Sequence, residues 1–113
     1  MPDVSRTEIG RRIFNLQKEK NVEQVIEKIR THMGSEWAGF SQDDQKVLKY
    51  ILGETWVYLE RDLWEKVSFS RITRIELLDI ISIGRKSIGN EMNSRRAVED
   101  VMAILLPGAG VSM

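Results

Sequence analysis

Cysteine is absent from this 113-residue sequence, and proline occurs only twice, as Pro2 and Pro107. The first absence removes disulfides, thiol nucleophiles and thiolate metal sites. It suits a reducing compartment, so a cytoplasmic setting is expected. The second leaves everything between the two prolines free of the residue that breaks helices. Histidine is represented once, by His32. No second histidine exists to complete a zinc set or a nucleophile–histidine–acid trio, so no metal and no cofactor are expected and the chain reads as non-enzymatic. No apolar run approaches the roughly 18 residues of a membrane span. The start carries no secretory pattern, so no membrane partner is expected either. Neither charge is in excess: 17 basic and 17 acidic residues give a formal net charge of zero, which argues against a protein dominated by phosphate contacts. The balance is locally uneven, because Arg71, Arg74, Arg85, Lys86, Arg95 and Arg96 outnumber Glu76, Asp79 and Glu91.

What the sequence does contain is helical punctuation. Hydrophobic residues make up 42% of the chain and charged residues 30%. That is a globular composition, too apolar for a disordered chain, and the length suits one domain, 1–113, with 108–113 as a frayed tail. A capping residue followed three positions later by Glu, Gln or Asp marks a helix start, because the two side chains satisfy the orphan N–H groups of the first turn. Ser5 with Glu8 predicts a first helix with Ile9, Ile13, Phe14 and Leu16 as its apolar positions. Asn21 with Gln24 predicts a second, whose Val22, Val25, Ile26, Ile29 and Met33 form a helical stripe that ends near Gly34. His32 is read as a terminal residue of that helix, beside its last carbonyls. Residues 34–41 read as a loop whose Trp37 and Phe40 plug the core.

Ser41 with Asp44 predicts the longest helix, from residue 42 to about 64, with Gly53 as the place for a bend. Residues 67–72 alternate apolar and polar and suit a short extended segment or a loop. Thr73 with Glu76 predicts a fourth helix, a turn at Ser82-Ile83-Gly84, and a further helix ending before Pro107. The expected fold is therefore all-α, a bundle of four or five helices around the long central one, with at most one short extended segment near 67–70.

Two surfaces could carry function. On the long helix, at about 100° per residue, Val47, Leu48, Ile51, Leu52, Thr55, Trp56, Leu59 and Leu63 share one broad face. Asp62 falls in the same half and would need an arginine or backbone donor if buried. Tyr50, Val57 and Trp64 recur every seven residues on the other side. A helix with two apolar faces needs two neighbours, and Tyr and Trp are favoured anchors in interfaces. Tyr50, Val57 and Trp64 are thus expected to bind a protein partner, most simply a second copy in a homodimer. Alternatively, the line is covered by the chain itself.

The other surface is basic. Arg74 to Asn93 can be laid on a helix-turn-helix whose second helix presents Arg85, Lys86, Ser87 and Asn90 to phosphates and base edges. Gly84-Arg-Lys-Ser-Ile-Gly89 has phosphate-loop glycine spacing, but Asn90-Glu91 stands where Lys-Ser/Thr is required. The stretch 46–92 resembles, through Lys46-Val-Leu-Lys-Tyr-Ile-Leu, Thr55-Trp56, Val67-Ser-Phe-Ser and Gly84-Arg-Lys-Ser-Ile, the N-terminal winged-helix domain of phage-type replication initiation proteins. That resemblance implies an extended segment leading into a DNA-reading helix. The favoured reading is a small regulatory or assembly protein acting through protein binding or self-association. A DNA-binding role, with nucleic acid as the partner, is the alternative.

Overall fold

Two reciprocal caps set the frame. In the computed structural model, which describes residues 2–106 and side chains over 8–106, Ser41 Oγ accepts from the Asp44 N–H at 3.0 Å while the Ser41 N–H donates to the Asp44 carboxylate. Thr73 and Glu76 exchange the same pair of bonds. Each cap opens a helix: α2 (Gln42–Tyr58) and α4 (Arg74–Ile88). Asn93 caps α5 (Ser94–Leu105), its carboxamide oxygen accepting from the Arg96 N–H. With α1 (Pro2–Met33) and the short α3 (Arg61–Lys66) the fold is all-α, and no strand forms among the described residues.

The two helices expected before residue 34 are one. α1 starts at Pro2, upstream of Ser5, and runs unbroken through Asn21. The Ser5 side chain and the tail 108–113 lie outside the described residues. Asn21 does not cap. Its side-chain amide donates to the Gln17 carbonyl one turn back at 2.8 Å, a bond available to Asn inside a helix as well as at its start. The apolar stripe read from the sequence is buried as expected at Val22, Val25, Ile29 and Met33. Gly34, in the left-handed region at φ 58°, ends the helix. A six-residue 3-10 segment, Gly34–Gly39, follows, and Phe40 is buried beside Trp37 with ring centroids 5.8 Å apart.

α2 is the hub, packed against α1, α4 and α5. Leu48, Ile51 and Leu52 are sealed from solvent, each contributing roughly 1.5–3 kcal/mol of burial. The expected helix to residue 64 stops six residues early, and Gly53 makes no break. Thr55-Trp56-Val57-Tyr58 is a run of β-branched and aromatic residues with poor helix propensity. Leu59 then adopts extended angles (φ −88°, ψ 137°) and turns its side chain into the core. After two residues the chain resumes as α3 in a new rotational phase. Beyond it Val67 is extended and Phe69–Arg71 forms one 3-10 turn, so the alternation of residues 67–72 appears as inward-facing Val67, Phe69 and Ile72.

The turn expected at Ser82-Ile83-Gly84 is also absent: α4 runs straight through it. Gly84 marks a close approach of two helices. A Cβ built there would lie 2.8 Å from Val47 Cγ1 and 3.2 Å from Ile51 Cβ on α2. The chain turns later, where Asn90 adopts φ 62°. There the Asn90 N–H donates to the Ser87 carbonyl and the Glu91 N–H to the Lys86 carbonyl, a left-handed helix stop that Asn tolerates better than most residues.

Candidate interaction surface

The break at Leu59 dissolves the expected line of three residues. Tyr50 and Val57 remain on the surface of α2, at 39% and 42% exposure, but Trp64 is at 6%. It sits on α3, inside the core, with its ring 5.1 Å from that of Phe69. Between Tyr50 and Val57, the expected bend residue Gly53 is covered by α1 of the same chain, whose Lys18 methylenes and Val22 pass over it. Asp62, which shares the core half of an unbroken helix, is exposed for the same reason as Trp64 is buried: α3 has been rotated by the break, so Asp62 needs no buried donor.

The basic residues are dispersed. Arg85 reaches from the last turn of α4 to the first turn of α2, donating to Asp43 Oδ2 at 2.7 Å and to Asp44 Oδ1. The guanidinium beside it, aided by the Ser41 N–H, holds the Asp44 carboxyl below its ordinary range, and the two aspartates hold the Arg85 proton more firmly than usual. Acids at a helix start and a base at a helix end also suit both helix dipoles. Lys86 is exposed, Ser87 is buried with no hydrogen-bond partner for its hydroxyl, and Asn90 is the turn residue. These four positions therefore do not form the start of a second helix. His32 is exposed in the last turn of α1, as expected. Among the described residues no three His, Asp or Glu side chains gather as metal ligands, and no helix is long and apolar enough to cross a membrane.

An exposed apolar line of three residues lies elsewhere, on the first half of α1, and the continuity of that helix fixes its direction relative to the buried half. Ile9, Ile13 and Leu16 are 57%, 53% and 64% exposed. At about 100° per residue they fall within about 60° of one another, and roughly 160° from the mean direction of Val22, Val25, Ile29 and Met33. The two halves of one helix thus present apolar stripes on nearly opposite sides. The second half is bound to the bundle. α1 and α2 run in opposite directions, Val22 and Lys18 lying over Gly53 and the Phe14 ring 5.2 Å from Trp56. Residues before Phe14 therefore pass beyond the end of α2 as an arm. At 1.5 Å per residue α1 measures about 48 Å, and the molecule's longest dimension is 50 Å.

Four cations and two acids, Arg11, Arg12, Lys18, Lys20, Glu8 and Glu19, dress this part of α1, and none forms an ion pair among the described residues. The signal for the stripe was present in the sequence. Reading Asn21 as a helix start hid it, because two separate helices have no fixed relative phase. No protein-family model, curated protein or solved structure matches the chain.

Proposed function

We propose that the chain is a non-enzymatic protein-binding module of a regulatory or assembly kind, and that its contact surface is the outward face of the first half of α1. One observation carries this reading: Ile9, Ile13 and Leu16 form a continuous apolar line on the side of the helix turned away from the bundle. A lone exposed leucine needs no explanation, but large aliphatics aligned on the outward face of a helix are a surface that water covers poorly. Tyr50 and Val57 flank the place where α1 crosses α2, on the other side of α1 from this line, and Trp64 belongs to the core. The basic residues support the DNA-binding alternative less well, because Arg85 is engaged by two aspartates and Ser87 faces inward.

A photoactivatable side chain at position 13, illuminated in the producing cell, tests the reading. Position 27, exposed on the polar half of the same helix side, is the control. Adducts from position 13 and not from position 27 are expected. No adduct from 13, or equal capture from both, removes the proposal.

A further inference from the structure

The outward line of α1 does not stop at Leu16. Lys20 continues it, so the spacing of Ile9, Ile13, Leu16 and Lys20 is four, three and four residues, the alternation that forms a two-helix seam. The residues immediately before two of the seam positions are Arg12 and Glu19, both exposed and both on one flank. The matching positions of the other flank hold Gly10 and Gln17. We infer that the occupant of this surface is a second copy of the chain, the first half of its α1 packed antiparallel to the first about a two-fold axis between residues 14 and 15. The inference rests on the binding-module reading above.

The orientation follows from the side chains. In the antiparallel arrangement Ile13 of each copy faces Leu16 of the other, twice. Ile9 faces the methylene stem of Lys20, whose ammonium extends past the seam to water. Antiparallel helices bring like flanks together, so Arg12 of each copy meets Glu19 of the other, again twice, while Gly10 and Gln17 meet without charge. A parallel pair would set Lys20 against Lys20 and would leave Arg12 opposite Gln17, with no ion pair formed. Because the seam lies on the side away from the bundle, the two bodies sit on opposite sides of the helix pair and do not collide. The apolar part is short for a permanent interface, which places the association in the micromolar range or weaker.

Sedimentation of the full chain from about 1 µM to about 1 mM should show the mass rising from 13.1 kDa towards twice that value. Arg12→Glu and Glu19→Arg should each hold the protein at the monomer mass, and the double reversal should restore dimers. Since the chain has no cysteine, single cysteines report the direction. Oxidising a mixture of Ile9→Cys and Lys20→Cys chains should give the mixed disulfide. Two copies of residue 9 would be about 16 Å apart along the axis, beyond the reach of a disulfide. Homodisulfides instead of mixed ones would overturn the antiparallel assignment. A monomer mass throughout, or a dimer unmoved by Arg12→Glu and Ile13→Asp, would overturn the second copy as occupant. If position 13 then captures a different protein in the cell, the binding-module reading survives and this inference does not.

Discussion

Replacing Gly84 and Gly53 with alanine, one at a time, sets helix propensity against packing with the chemistry held constant. Both glycines are buried and inside a helix, and Gly→Ala in a helix gains about 1 kcal/mol from propensity alone. At Gly53 the new methyl would meet Lys18 Cδ at 3.7 Å and Val22 Cγ2 at 3.9 Å, ordinary contact distances, so most of that gain should survive. At Gly84 it would sit 2.8 Å from Val47 Cγ1 and 3.2 Å from Ile51 Cβ. Val47 is β-branched and stiff about its first torsion, and the Ile51 atom is fixed to the backbone, so α4 itself must move. Overpacking of this kind costs about 1–3 kcal/mol, and the rigidity of both neighbours puts Gly84 in the upper half of that range. The net effect is a loss of roughly 1–2 kcal/mol for Gly84→Ala and a gain approaching 1 kcal/mol for Gly53→Ala. Urea unfolding of the three proteins reads both, and the melting temperature should separate by about 5 °C per kcal/mol. Adding Val47→Ala to Gly84→Ala should show favourable coupling between the two sites. If Gly84→Ala stabilises as much as Gly53→Ala, α4 does not lie against α2 as described.

Three further outcomes follow from the packing. Trp64→Ala should cost about 3–5 kcal/mol in a denaturant titration, because Trp64 is a core residue; a loss under 1 kcal/mol would return it to the surface. Asn93→Ala removes the α5 cap and should cost about 1 kcal/mol, read by thermal melting. Asp44 titrates below its ordinary value of 3.8 because of Arg85 and the Ser41 N–H. Its stabilising contribution is therefore whole above that value and is lost as pH falls through the lower folded value. Asp44→Asn should flatten the acid limb of stability measured between about pH 2 and pH 5, and an unchanged limb would refute the assignment.

The sequence disclosed helix starts better than helix ends. Ser41–Asp44 and Thr73–Glu76 were legible because both partners of each cap lie within four residues of each other. Asn21–Gln24 has the same signature and opens nothing, since an Asn side chain finds a carbonyl one turn back as readily as an N–H ahead. The stop at Tyr58 carries no Gly or Pro. It comes from weak propensity together with the room for Leu59 in the core, and the second is a tertiary fact. Gly84 looked like punctuation because a glycine that admits a neighbouring helix and one that ends its own are the same letter. Each of these misreadings moved a surface. An early stop took Trp64 out of the exposed line, and a missing stop fixed Ile9, Ile13 and Leu16 on the outward face of one continuous helix.

The continuity of α1 also governs when that face exists. A helix of a dozen residues seldom forms alone, since the first turn fixes several residues before any ladder bond rewards it. Here the two halves are one helix, so the bundle-bound half offers turns from which the outer half extends by propagation. The seam side chains are therefore in register only on a chain whose bundle has closed. Any partner that reads Ile9, Ile13 and Leu16 together is selecting folded molecules, and amide exchange should slow steadily from residue 8 towards Val22.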